Sequence, residues 1–147
     1  MEAILAGQKL LNKSGEIVSV ADALAQKKVI GLYFSAHWCP PCRKFTPLLS
    51  YVYDEIKEEH DDIEIVFVSS DRETAQFDEY YTEMPWLALP WAESRDLIPE
   101  LREKFAVQFI PTLIFFNDKG EIIEREGRTF VEQNMRNVDN LVAALRK

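Results

Sequence analysis

The stretch Val29-Ile30-Gly31-Leu32-Tyr33-Phe34-Ser35-Ala36-His37-Trp38-Cys39-Pro40-Pro41-Cys42 joins an apolar run to the only two cysteines of the chain, which have two residues between them. Residues 29–34 are continuously apolar rather than alternating, as expected of a central strand covered on both faces. Behind Cys42, the residues Phe45, Leu48, Leu49, Val52 and Ile56 recur at three- and four-residue spacing. They mark a long amphipathic helix that ends in the acidic residues 58–62, with Pro47 expected to kink it. Cys39 then falls at a helix N-terminus, where unpaired N–H groups and the helix dipole favour a thiolate, the form that attacks disulfides. Cys42, a turn further in, is expected to be the less accessible sulfur.

Two other uses of a cysteine pair weigh less. Zinc asks for about four ligands; the pair supplies two, His37 and His60 are the only imidazoles, and no second CxxC or HxxxH is present. A structural disulfide here would close a very short loop and remove little unfolded-chain entropy. A strand followed by CxxC and a helix instead favours a redox-active dithiol. No metal is expected, and no cofactor beyond the Cys39–Cys42 disulfide itself.

Outward from the motif the chain alternates. Residues 9–12 and 16–18, joined by Lys13-Ser14-Gly15, suggest a hairpin, and Ser19-Val20-Ala21-Asp22 resembles a capping box that opens a short helix. Residues 63–69 make a second buried strand. Phe77, Tyr80, Tyr81 and Met84 have the spacing of a helix face and suit the core. A loop with Pro85, Trp86, Pro90 and Trp91 leads to a helix through Leu97, Leu101 and Phe105. Residues 112–116 and 121–125 flank the turn Asn117-Asp118-Lys119-Gly120, and Val138, Leu141, Val142 and Leu145 mark a last helix. The implied class is α/β: a central mixed β-sheet flanked by helices, with an N-terminal β-hairpin extension.

With 147 residues, 47% apolar and 12% aromatic, the chain suits a single domain over 1–147 with a sizeable core. Residues 1–7 have no basic flank and too short an apolar stretch for a signal peptide, and no run approaches a membrane span. A soluble intracellular protein is expected. The net charge of −8 argues against a general nucleic-acid binder, which needs clustered Lys and Arg.

The strand into Trp38-Cys39-Pro40-Pro41-Cys42, the helical Pro47, and Ile110-Pro111-Thr112 before a strand resemble the thioredoxin fold. More narrowly, the chain resembles the tryparedoxin and nucleoredoxin branch. The matching blocks are Tyr33-Phe34-Ser35-Ala36, Pro40-Pro41, Phe67-Val68-Ser69-Ser70-Asp71-Arg72, Tyr80-Tyr81, Met84-Pro85-Trp86-Leu87-Ala88-Leu89-Pro90 and Gly127-Arg128. They extend from about residue 10 to 131.

The resemblance implies roles. Cys39 is the attacking thiolate and Cys42 resolves the mixed disulfide by exchange. Ile110-Pro111 is a cis bond facing the cysteines, where the Ile110 backbone can pair with an extended substrate segment. Trp38 is an exposed aromatic wall beside Cys39, and Pro40 and Pro41 belong to the same substrate-facing surface. Arg128 is placed to attract an anionic group of a reductant. Ordinary thioredoxins hold a buried carboxylate where this chain has Tyr33, a poor base near neutral pH. Tryparedoxins carry Trp-Asp-Glu in place of Ser70-Asp71-Arg72, and that glutamate suits the cationic thiol trypanothione. Arg72 reverses the charge and favours anionic glutathione or a reductase protein, although the neighbouring Glu73 keeps trypanothione in play. The implied function is a thiol-disulfide oxidoreductase, a monomer of the cytoplasm or nucleus, that reduces disulfides of proteins such as peroxidases. The competing class is a redox-sensing interaction protein of nucleoredoxin type, which binds or releases a partner on oxidation.

Overall fold

The computed structural model describes residues 2–5 and 8–146. The reading of the first seven residues as carrying no leader lies partly outside them. The helices are α1 (Glu2–Leu5), α2 (Val20–Ala23), α3 (Pro40–Glu59), α4 (Thr74–Tyr81), α5 (Leu97–Lys104), α6 (Gly127–Asn134) and α7 (Val138–Leu145). The strands are β1 (Lys9–Leu11), β2 (Ile17–Ser19), β3 (Val29–Ser35), β4 (Ile63–Ser69), β5 (Leu87–Ala88), β6 (Thr112–Asn117) and β7 (Ile122–Glu124). They form one mixed sheet in the order β2-β1-β5-β4-β3-β6-β7. Among the described residues, no helix is long and apolar enough to cross a membrane.

Strand β3 sits between β4, parallel from Val29↔Ile63 to Ser35↔Ser69, and β6, antiparallel from Val29↔Asn117 to Phe34↔Thr112. All seven residues of β3 and of β4 are buried. Tyr33, Phe67 and Phe115 pack under α3, α4, α6 and α7, whereas Leu32, Val66 and Phe116 pack under α1, α2 and α5. Coverage on both faces is why these strands lack alternation. Trp86 lies wholly inside, edge-on to Tyr33 at 5.8 Å and to Tyr53 at 5.6 Å. Burial of one such side chain is worth roughly 1.5–3 kcal/mol.

The sheet ends where β3 delivers the chain to α3. Pro40 and Pro41 occupy the first helical positions, where a missing N–H costs nothing, and Cys39 is the N-cap. Pro47 stands inside an unbroken helix of 20 residues. The far end of α3 is tied by Arg146, which bonds Asp62 at 2.5 Å and the His60 ring at 3.2 Å.

Three segments differ from the sequence expectation. The loop after Met84 contains β5, two residues that add in parallel to β4 and receive the N-terminal hairpin at Leu11↔Ala88. Met84 is buried but lies past the end of α4. Helix α6 follows β7 directly, where only a final helix was expected. Its first residue explains its seat: a Cβ on Gly127 would lie 2.4 Å from the Leu113 carbonyl oxygen, so the helix can meet β6 this closely only with glycine there.

Candidate active site

Cys39 and Cys42 are unbonded thiols at the start of α3. The Cys42 backbone N–H points at Cys39 Sγ from 3.4 Å, and Cys39 Sγ lies 3.8 Å from the carbonyl oxygen of Ile110. The Ile110-Pro111 peptide is cis, so the loop before β6 turns its backbone to the cysteines. Exposure separates the sulfurs less than the sequence implied, since Cys39 is 5% and Cys42 0% accessible. They differ more in what surrounds them. Burial pushes the Cys42 thiol up to about 12, the hydrogen bond and charge of Cys39 add to the shift, and the Ser35 hydroxyl and Ala36 backbone oppose it.

Behind Cys42 lies a buried cluster of hydroxyls. Thr46, whose hydroxyl donates to the Cys42 carbonyl at 3.0 Å, also bonds Tyr33 at 2.7 Å and Tyr80 at 2.5 Å, and Tyr80 bonds Ser35 at 2.7 Å. Desolvation pushes both tyrosines further above their ordinary range, so Tyr33 is no base near neutral pH. The carboxylate that does lie nearby is Asp71, 1% exposed. Its Oδ1 accepts the His37 N–H at 2.7 Å and its Oδ2 the Ser69 hydroxyl at 2.6 Å, which fixes the turn leading into Trp38.

The rim is apolar and aromatic. Trp38 is 45% exposed and anchored by its Nε1–H to the Ser70 carbonyl at 3.2 Å. Phe109, beside the cis peptide, is 68% exposed. Pro40 and Pro41 line one cavity of about 380 Å³ with Arg128 and Glu132; Pro111, Phe109 and Arg128 line another of about 360 Å³. Arg128 thus lines both hollows, paired with Glu132 at 3.8 Å and 5.9 Å from the Phe45 ring centre. Arg72 lies on the other side, its guanidinium 5.0 Å over the Trp38 ring. The catalytic and substrate-binding residues singled out from the sequence therefore gather around one end of the sheet. His60 does not: as the C-cap of the 20-residue α3 it is roughly 30 Å from Cys39, too far to complete a metal site with the cysteines.

Sequence reasoning passed over Asp71 as an anchor, Phe109, and the hydroxyls of Ser35, Thr46 and Tyr80. Phe109 was open to detection as a bulky aromatic next to Ile110-Pro111. The hydroxyl cluster joins residues up to 45 positions apart and leaves no periodic trace.

A family model described as thioredoxin-like matches residues 26–122. The chain is similar to probable nucleoredoxin 1 of Arabidopsis thaliana, with 47% identity over 83% of this chain and 20% of that protein. It is also similar to tryparedoxin of Trypanosoma brucei brucei, with 46% identity over 83% of this chain and 82% of that protein. The chain spans 20 to 31% of the length of the nucleoredoxins it matches. Among solved structures, tryparedoxin II complexed with glutathionylspermidine aligns over 92% of both chains, with a TM-score of 0.83 and 35% identity.

Proposed function

The chain belongs to the thioredoxin-like family as a thioredoxin-fold oxidoreductase related to nucleoredoxin and tryparedoxin, and we propose that it reduces protein disulfides through Cys39 and Cys42. The observation that carries this reading is the asymmetry of the pair. Cys39 caps α3 with a backbone N–H aimed at its sulfur, while Cys42 is enclosed and held protonated. The thiolate of Cys39 attacks one sulfur of the partner disulfide, forming a mixed disulfide and expelling the other sulfur as a thiolate that takes up a proton. Cys42 then gives up its proton and attacks Cys39, forming the Cys39–Cys42 disulfide and releasing the second partner thiol. Two electrons pass from the dithiol to the partner. The exposed Trp38, next to Cys39 in the chain, and Phe109, next to Ile110, suit an extended protein segment lying along Ile110, of the kind a peroxidase disulfide presents. Two equivalents of a monothiol such as glutathione, one equivalent of the dithiol trypanothione, or a reductase return the disulfide to the dithiol and leave oxidised. We assign this cycle to a reducing compartment, cytoplasm or nucleus, with the chain acting as a monomer.

Cys42→Ser is expected to accumulate mixed disulfides on Cys39, whereas Cys39→Ser abolishes both trapping and reduction. Partners found on Cys42 instead would reverse the assignment. With glutathione, trypanothione or a reductase supplied in parallel, many disulfides reduced per protein molecule mark the enzyme. A single equivalent with altered partner binding marks the redox sensor.

A further inference from the structure

At the turn of residues 69–72, to which Trp38 is bonded through the Ser70 carbonyl, a cavity of about 580 Å³ is lined by Ser70, Asp71, Arg72, Arg95 and Arg102 among others. Three arginines share it in a chain whose net charge is −8. Each is held by something other than a carboxylate. Arg72 lies over the Trp38 ring at 5.0 Å and Arg95 over the Trp91 ring at 3.9 Å, while Arg102 donates to the Ser70 hydroxyl at 3.2 Å. Among the described residues, none of the three makes an ion pair. The one carboxylate in the lining, Asp71, is buried and turned to His37 and Ser69. The two aromatic platforms are themselves fixed to this turn, Trp38 through the Ser70 carbonyl and Trp91 through the Asp71 carbonyl at 3.0 Å. A guanidinium stacked on an aromatic face keeps its in-plane N–H groups free, and those groups match a carboxylate in pairs.

We propose that this arginine cavity binds the carboxylates of an anionic low-molecular-weight thiol, of which glutathione is the type. The assignment rests on the reading of Cys39 and Cys42 as the redox pair. Arg72 both lines the cavity and lies over the indole of Trp38, the neighbour of Cys39 in the chain, so a peptide thiol with its carboxylates among Arg72, Arg95 and Arg102 can extend its sulfur past the indole toward Cys39. The cavity thereby selects the electron donor by charge, and a cationic polyamine-linked thiol is disfavoured there.

The test uses a redox-inert probe, so that it succeeds or fails independently of the disulfide-reductase reading. S-methylglutathione is titrated into the reduced full chain at low salt and followed by calorimetry and tryptophan fluorescence, since Trp38 and Trp91 lie under the cavity's Arg72 and Arg95. Binding is expected, weakened about two- to fivefold by Arg95→Gln and by Arg102→Gln, and weakened again by added salt. The diester of S-methylglutathione, which lacks the carboxylates, is expected to bind more weakly than the acid to the unaltered chain. Arg95 is exposed, so its replacement leaves the core untouched, and Arg102→Lys supplies a variant that keeps the charge. No binding, equal binding of acid and diester, or affinities indifferent to both Arg95→Gln and Arg102→Gln would overturn the proposal.

Discussion

Raising the pH of the reduced protein from about 8 to about 10.5 should cost it stability through the proton on Cys42, by an amount that follows from the burial of the thiol. Burial holds this thiol at about 12, where an ordinary one titrates at 9.0. A raised folded pKa contributes stability that is fully present below the unfolded pKa and is lost as pH climbs toward the folded one. Over that window the unfolded chain releases the proton and the folded chain keeps it. The window for Cys42 opens near pH 9.0 and closes near 12. At about 1.36 kcal/mol per pH unit, the loss through this one group reaches about 2 kcal/mol at about pH 10.5. Burial also raises Tyr33, Tyr53, Tyr80 and Tyr81, which lose stability in the same direction, so the unaltered protein alone cannot isolate the cysteine. Cys42→Ala removes the thiol and leaves the tyrosines. Urea unfolding of both reduced proteins at the two pH values should show the unaltered chain losing about 2 kcal/mol more than Cys42→Ala. Equal alkaline losses would refute the picture of a Cys42 proton locked in by desolvation, and with it the physical asymmetry of the two sulfurs.

Gly127→Ala would set a Cβ 2.4 Å from the Leu113 carbonyl oxygen and must push the start of α6 away by about 1 Å to reach ordinary contact. Overpacking of this kind costs about 1–3 kcal/mol, or roughly 3–10 °C in Tm for a chain of this size; calorimetry that finds Tm unchanged would mean that α6 is free to shift. Tyr80→Phe removes the hydroxyl shared by Ser35 and Thr46 and should destabilise by about 1–3 kcal/mol in urea unfolding, because it deprives buried hydroxyls of a partner. A change within about 0.5 kcal/mol would mean that Ser35 and Thr46 satisfy each other without it.

What was legible in the sequence is what burial writes into local pattern. The continuous apolar run of β3 and that of residues 65–68 in β4 announced strands covered on both faces, and the three- and four-residue spacing from Phe45 to Ile56 announced α3. Strand β5 is too short to carry a period; it exists because Leu87 and Ala88 find the edge of β4 at Val66 and Phe67. Helix α6 buries only Gly127 and Val131 and is otherwise largely polar, so its apolar stripe is too thin to read. Its position is dictated by a glycine that meets a strand backbone, a contact between residues 14 apart in sequence.

The candidate site divides along the same line. Cys39 and Cys42 share one turn of helix, so spacing alone brings them together, and Ile110-Pro111 joined them through family resemblance rather than through any local rule. The groups that decide how the site discriminates are set by contacts spanning much of the chain: Asp71 reaches His37 across 34 positions, Arg102 reaches Ser70 across 32, and Trp91 reaches Asp71 across 20. All three converge on the turn at residues 69–72. In the sequence Arg72 stood alone as a charge reversal, worth little by itself as a single exposed charge. In the fold it is one of three guanidiniums around a shared cavity, and a carboxylate that meets several oriented donors at once is held by more than the sum of solitary surface contacts, since the donors are already in place before it arrives. Charge selection at this site is therefore a property of the 69–72 turn and its long-range partners, which is why one substitution there should weaken anion binding only severalfold.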